Sequence, residues 1–530
     1  MRKYMIKTGL AFLLGSVLCS CYKDLGNYDY HEINEVTIGK KGFDDTTYVL
    51  KSFIDTLRIQ PEVEASMLQH PENYEYRWIA VGDRFKLGGT WEIGQEKDLI
   101  YPLNLPEQDY TLYFRVKDKS TQVVYTRTAV LSLKTVFSTG WLVLGEDDNG
   151  KAQLDMLAIV GRDTLLMKDI LAEAGLPELG KPTSLFIPIP NMAEDNIQVG
   201  TDNGTYKLDP DKLMPIADSH LKYSFFDVSS AGPCVLQDAS QLYMFRVEII
   251  DGKLYYDRDR ITGRYERIGN PSNHYKGEYK LFKIGDKVGY SLSSSGRMLT
   301  AVVCYDDDNK RFVYQGGGMS NGIVGYCDSI ADIYVSASDL YFSWRTGQDF
   351  VTTINSRKAG ISNYTILKNP GASSPDGYYL YGYNILNTGL SFSFEKKFKK
   401  KQLTKADEID KAEFFASSVN NSVIFYTVGS CLYGYNYNTD KSKKLLDFAG
   451  EDSKDGKKEV ITCLWYDQDP MNMFPEDEIW LGVYDPTQPA STGGRLVGYT
   501  VENNPNDMVV KEIPGSSKEG FCKIVSIGYK

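Results

Sequence analysis

The sequence predicts an all-β protein, a small β-sandwich followed by a β-propeller of seven blades, with eight as the alternative. Three observations carry the prediction. Apolar and polar residues alternate with the period of two that marks half-buried strands. The 530 residues include 38 Tyr and 47 Gly, the first suited to pleated surfaces and the second to the turns between short strands. Finally, Leu380-Tyr381-Gly382-Tyr383-Asn384 returns unchanged as Leu432-Tyr433-Gly434-Tyr435-Asn436, 52 residues on. Strand-only repeats of about 40 to 50 residues indicate propeller blades.

The chain opens with Arg2, Lys3 and Lys7 before an apolar run from Gly9 to Leu18. That run is too short to span a bilayer and has the form of an export signal. Leu18-Cys19-Ser20-Cys21 resembles the lipobox of bacterial lipoproteins, which implies cleavage after Ser20 and acylation of Cys21. Residues 1–20 are therefore expected to be a signal peptide and 21–34 a polar tether without strand or helix period. Several acyl chains hold a protein on a membrane without any spanning helix.

Residues 35–136 form the expected sandwich. Its clearest alternating runs are Asp55 to Ile59, Tyr74 to Ile79, Tyr110 to Val116 and Tyr125 to Leu131, with Trp78 expected in the core. From 137 to 530 the runs become irregularly spaced hairpins. The pentapeptide recurs loosely as Leu496-Val497-Gly498-Tyr499-Thr500 and more faintly at Gly204-Thr205-Tyr206, Gly252-Lys253-Leu254-Tyr255 and Ser338-Asp339-Leu340-Tyr341. Each mark is expected on the strand that follows a hairpin turn. The C-terminal residues are expected to pair beside Gly140 to Gly145 and complete the first blade, which removes the sheet edges. Leu166 to Glu173 is the one helix-like segment.

Composition narrows function mostly by exclusion. The formal charge of −11 falls to −14 once Arg2, Lys3 and Lys7 leave with the signal, which disfavours nucleic acid as a partner. Cys234, Cys304, Cys327, Cys431, Cys463 and Cys522 stand singly, without the close pairs of zinc or redox motifs. His31, His70, His220 and His274 are too far apart for a zinc helix. Gly318-Met319-Ser320-Asn321-Gly322 matches a nucleophile elbow, but a glycine-broken run follows it and every histidine precedes Ser320. Asp147 to Gly150 and Asp306 to Asn309 offer oxygen ligands for calcium and are better read as hairpin turns. No catalytic set, metal set or cofactor motif emerges. The basic run Lys396 to Lys401 is expected to be a solvated strand edge protected by lysine.

One stretch stands out as a binding loop. Trp465 to Phe474 concentrates aromatics and methionines, and Trp465, Met471, Met473 and Phe474 are the candidate ligand contacts. A core role for Trp465, with the methionines folded under their own loop, is the competing reading.

The layout as a whole resembles the PKD-like family lipoproteins of the Bacteroidota. The likeness rests on Cys21 followed by Tyr-Lys-Asp-Leu-Gly-Asn-Tyr-Asp-Tyr, on the order of sandwich and propeller, and on the ending Gly520 to Lys530. Cys522 stands where that family favours glycine. The resemblance implies a lipid anchor in the outer membrane, and the early Lys23-Asp24 pair is similar to signals for its outer face. It also implies a TonB-dependent porter and a lid lipoprotein as partners. The expected function is a non-catalytic surface lipoprotein that binds a nutrient or scaffolds the uptake complex. The alternatives are a surface hydrolase of glycan or peptide and a protein that captures an iron chelate such as a siderophore. Glycan, peptide and chelate remain open as ligands.

Overall fold

A computed structural model describes residues 34–530 except 40–42, 44–46, 53–54, 68–70, 83–87, 161–162, 173, 189–195, 230–231, 243–244, 261–263, 266–267, 291–300, 317–324, 333–340, 388–391, 455, 468–476 and 505–506. The chain is all-β and divides into two compact units at Lys134/Thr135. No helix among the described residues is long and apolar enough to cross a membrane.

In the N-terminal unit one sheet runs in the order Thr47–Lys51, Val124–Lys134, Asp109–Asp118, Tyr74–Gly82, Thr90–Gly94. Only its first pair is parallel, with Thr47 opposite Val130. Alternation decides what is buried: Tyr110, Leu112, Phe114 and Val116 point inward while Arg115 and Lys117 point out. Across the core lie two short ladders, Val36–Ile38 with Val63–Ala65 and Thr56–Ile59 with Leu99–Pro102. Trp78 is wholly buried, stacks on Phe114 at 4.3 Å and donates from its indole to the Glu96 carbonyl at 3.0 Å. Satisfying that N–H is what permits so large an amphipathic ring to be buried. The Tyr110 hydroxyl donates to the Pro106 carbonyl at 2.7 Å and fixes the turn that enters its strand.

Among the described residues the C-terminal unit contains seven four-stranded antiparallel arrays in succession. Six are continuous in sequence, and the fifth and seventh carry one further short strand each. The first is composite. Gly140–Glu146, Ala152–Val160 and Asp163–Met167 are joined by Lys523–Tyr529 from the far end of the chain, with Trp141 opposite Tyr529 and Val143 opposite Ile527. Gly140 and Lys530 exchange both main-chain hydrogen bonds, at 2.9 and 3.0 Å.

Neighbouring sheets pack face to face, and alternation on a single strand serves two neighbours at once. Leu142 and Leu144 meet Ile197, Val199 and Leu208 of the second sheet. Trp141 and Val143, on the opposite face of that strand, meet Cys463, Trp480 and Leu496 of the seventh. Shared apolar clusters likewise join the second sheet to the third, the third to the fourth, the fourth to the fifth, and the fifth through the sixth to the seventh. Strands covered on both faces need apolar residues at consecutive positions, which is why Gly140 to Gly145 is buried without a break.

The recurring pentapeptides occupy the third strands of the fifth, sixth and seventh sheets, Tyr378–Asn387, Cys431–Asn436 and Gly494–Val501. Their glycines leave room for a neighbour's bulk. A Cβ on Gly382 would stand 2.2 Å from the Phe398 ring, and one on Gly498 would stand 2.7 Å from Trp480. The flanking Tyr381, Tyr433 and Tyr435 are buried, and their hydroxyls donate to Gln348, Glu408 and Asp440. Gly204–Leu208 and Lys253–Arg260 are the third strands of the second and third sheets. In the fourth sheet that place belongs to Arg311–Gly316, while Ser338 to Leu340 lie outside the described residues.

Two expectations fail. Of Leu166 to Glu173, the described residues 166–172 are not helical: Leu166 and Met167 pair with Leu157 and Met156 in a strand, and Asp169 then takes a positive φ of 43° that interrupts any helix. Nor is the lysine run wholly a solvated edge. Lys396 is buried, its ammonium 3.0 Å from Asp332 and above the rings of Phe342 and Trp344 at 5.4 and 5.6 Å. An ion pair and two aromatic faces together compensate its desolvation.

Candidate functional site

A polar network in the C-terminal unit joins residues of the third, fourth, fifth and seventh sheets. Asp238 follows a register shift in Leu236–Leu242, the first strand of the third sheet. Its carboxylate lies 3.0 Å from the Lys287 ammonium and accepts the Val288 N–H at 3.1 Å. Gly289–Tyr290 then opens the fourth sheet. Asn355, which ends the first strand of the fifth, donates to the Val288 carbonyl at 3.1 Å and accepts the Tyr290 N–H at 3.0 Å. Asn363 completes the network, donating to Asn355 at 2.7 Å and to the Tyr290 carbonyl at 3.0 Å.

The seventh sheet reaches the same place. Tyr466 ends the strand Val460–Tyr466, and burial pushes its hydroxyl well above the ordinary value, with Tyr290 and Asp238 adding to the effect. One residue on, Asp467 pairs with Arg357 at 2.8 Å, both largely buried. Removing either partner would strand a buried charge, so the pair fixes the loop after the fifth sheet's first strand against the seventh sheet.

At the edge of this network Lys287 keeps 43% of its side chain exposed to solvent. Burial alone would lower its pKa, but Asp238 outweighs burial and raises it. Asp286 next to it is solvent-accessible and bonded to no side chain among the described residues. Desolvation pushes its carboxyl up, with Lys287 opposing and Asp238 reinforcing the shift.

The residues singled out from the sequence are only partly placed here. Trp465 is half-buried, its ring edge-on to Trp141 at 4.9 Å, and Trp141 in turn contacts Trp480 at 4.4 Å and Tyr529 at 5.1 Å. Trp465 thus packs where the first and seventh sheets meet. Met471, Met473 and Phe474 lie outside the described residues, as do Cys21 and Ser320. The chain enters the segment 468–476 at Asp467, held by Arg357, and leaves it at Asp477, whose carboxylate accepts the N–H groups of Val419 and Asn420 at 3.0 and 3.2 Å.

The acidic turns cap themselves. Asp147 accepts the Asn149 and Lys151 N–H groups at 2.8 Å each, and Asp306 accepts those of Asp308 and Asn309 at 3.1 and 2.9 Å. His220 accepts the Lys222 N–H at 3.1 Å, and burial lowers its pKa. The six cysteines among the described residues, all in the C-terminal unit, are free thiols. Asp238, Asp286, Lys287 and Arg357 carried no signal in the sequence, since they come from three separate stretches in no motif.

Comparison with known proteins places the N-terminal part of the chain. Residues 21–182 match the PKD-like family, so this chain carries a PKD-like domain. No curated protein matches the chain. Among solved structures, a quinonprotein alcohol dehydrogenase-like protein from Bacteroides thetaiotaomicron VPI-5482 is similar at 14% identity, covering 92% of this chain and 99% of that one, with a TM-score of 0.36. Hsv2 of Kluyveromyces lactis is similar at 8% identity, covering 72% of this chain and 99% of its own, with a TM-score of 0.33.

Proposed function

We propose that this chain is a non-catalytic lipoprotein of the outer cell surface, anchored through Cys21, whose C-terminal unit is a seven-bladed propeller. Its role is to bind a nutrient ligand or to scaffold an outer-membrane uptake complex of a TonB-dependent porter and its lid lipoprotein. The observation that carries the reading is that the PKD-like match begins at Cys21, the residue that the lipobox pattern marks for acylation. The propeller is supported by the contact of the last sheet with the first and by the pairing of Lys523–Tyr529 with Gly140–Glu146. It also accounts for how the third, fourth, fifth and seventh sheets bring residues to one polar network. A binding role suits that network better than hydrolysis, because Asp238 and Asp467 are held by Lys287 and Arg357.

Radiolabelled palmitate tests the anchor, and protease added to intact cells tests the surface location. The wild-type chain takes up label and is digested from outside, whereas Cys21→Ala takes up none. Label retained in Cys21→Ala would overturn the anchor, and complete protection from external protease would overturn the surface location.

A further inference from the structure

We propose that the N-terminal unit binds an extended peptide segment of a partner protein, which adds a strand to the open edge of Tyr74–Gly82 and alternates apolar with acidic residues. The inference goes beyond the reading above and stands on this unit alone.

The edge is open because its neighbour turns away. Tyr74–Gly82 pairs along its whole length with Asp109–Asp118 on one side, but on the other side Thr90–Gly94 covers only Trp78 to Val81. Main-chain groups of successive strand residues point to opposite sides. The Asn73 carbonyl accepts the Lys119 N–H at 2.9 Å, whereas the Gly82 N–H donates to the Gly89 carbonyl at 2.9 Å. Odd-numbered residues therefore face Asp109–Asp118 and even-numbered ones face away from it. The N–H and C=O groups of Tyr74 and Tyr76 are thus presented beyond the end of Thr90–Gly94, and no strand among the described residues pairs with that side of them. This edge lies in an open groove of about 1580 Å³ that Val63, Ala65 and Met67 also line. The groove exceeds the roughly 300 to 1,000 Å³ of a small-molecule pocket and has room for an extended chain.

The lining specifies the side chains of the added strand, which continues the pleat of the sheet. Its residues on one face meet Tyr74 and Tyr76, and those on the other meet Glu75 and Arg77. The tyrosines are fixed in advance: the Tyr74 hydroxyl accepts from Asn34 at 3.0 Å, and the Tyr76 ring stacks on Phe114 at 6.0 Å. Little side-chain freedom is left to lose when apolar residues settle on them. On the charged face Arg77 stands directly opposite Arg115, a like-charge pair that a ladder disfavours. Glu92 pairs with Arg77, and Arg115 lies over the Tyr113 ring at 5.7 Å. An acidic residue of the added strand supplies Arg115 with a counter-charge.

The test is hydrogen exchange of the full chain, resolved to single amides by electron-transfer fragmentation. The probe is the acetylated and amidated peptide Glu-Val-Glu-Val-Glu-Val, with a copy methylated on every main-chain nitrogen as control and maltohexaose for the glycan class. In the free chain the Tyr74 and Tyr76 amides are expected to exchange quickly and those of Glu75 and Arg77 slowly. At about 1 mM the peptide is expected to slow Tyr74 and Tyr76 about tenfold, which corresponds to a Kd of about 0.1 mM, and the methylated copy is expected to leave them unchanged. Arg115→Glu alters an exposed side chain and is expected to weaken the peptide about tenfold. Tyr74 and Tyr76 amides already slow in the free chain overturn the open edge, and no slowing by the peptide overturns the ligand. Equal slowing by the methylated copy overturns strand addition, and undiminished affinity in Arg115→Glu overturns the acidic preference. Maltohexaose that slows both amides in place of the peptide overturns the ligand class.

Discussion

Deleting Cys522 to Lys530 removes the strand that joins the two ends of the C-terminal unit, and its cost follows from what that strand buries. Cys522 and Ile524 are wholly buried and Ile527 is 5% exposed, all against Trp141, Val143 and Trp480. Truncating a core isoleucine costs about 2 to 5 kcal/mol, so the two isoleucines alone account for about 4 to 10. A whole domain has only about 5 to 15 kcal/mol to lose. The deletion also takes the Cys522 N–H from buried Asp155 and exposes the edge of Gly140–Glu146. Tryptophan fluorescence during urea unfolding follows the loss, since Trp141, Trp465 and Trp480 stand at the seam. The truncated chain is expected to lose the cooperative transition of the C-terminal unit, and Ile524→Ala to weaken it by about 3 kcal/mol. A truncated chain that unfolds at the full-length urea midpoint would refute the role given to this strand.

Three further perturbations have defined outcomes. Asp118 accepts the side chains of Asn34 and Ser120 at 3.1 and 2.6 Å and the Ser120 N–H at 2.8 Å, which hold its pKa far below the ordinary 3.8. Its contribution is therefore complete above that value and is lost as pH falls toward the folded pKa. The melting advantage of wild type over Asp118→Asn should shrink steadily as pH is lowered from 4 toward 2, at about the pH where a free aspartate titrates; a constant difference would contradict it. Gly382→Ala places a methyl group against Phe398, itself stacked on Tyr437 at 5.3 Å, and should cost about 1 to 3 kcal/mol in urea unfolding. Trp465→Ala removes a half-buried ring from Trp141 and should cost about 2 kcal/mol while ligand uptake persists. Unchanged stability with lost uptake would return Trp465 to recognition.

What could be read from the sequence was what repeats or alternates locally. The run from Tyr110 to Val116 declares its own inward face, and Trp78 lies where such alternation puts it. The Leu-Tyr-Gly-Tyr-Asn marks locate third strands because in the fifth and sixth sheets alike a glycine covered by another residue's side chain stands between two buried tyrosines. Lys396 escaped because its partners, Asp332, Phe342 and Trp344, lie more than 50 positions earlier and nothing local distinguishes it from Lys399. Leu166 and Met167 mimic a helix because their apolar neighbours serve an outer strand and then a turn at Asp169. The polar network is the extreme case. Asp238, Asn355 and Tyr466 belong to three sheets and Lys287 to the turn before a fourth, and only long-range packing brings them together.

Hydrogen exchange of the C-terminal strand tests most directly whether the seven sheets form one closed body. If Lys523–Tyr529 belongs to the first sheet in solution, its amides exchange as slowly as those of Leu142 to Leu144, and both sets lose protection together as denaturant is added. Exchange of the C-terminal amides within seconds, while Gly140–Glu146 and Ala152–Val160 stay protected, would contradict closure and the propeller with it.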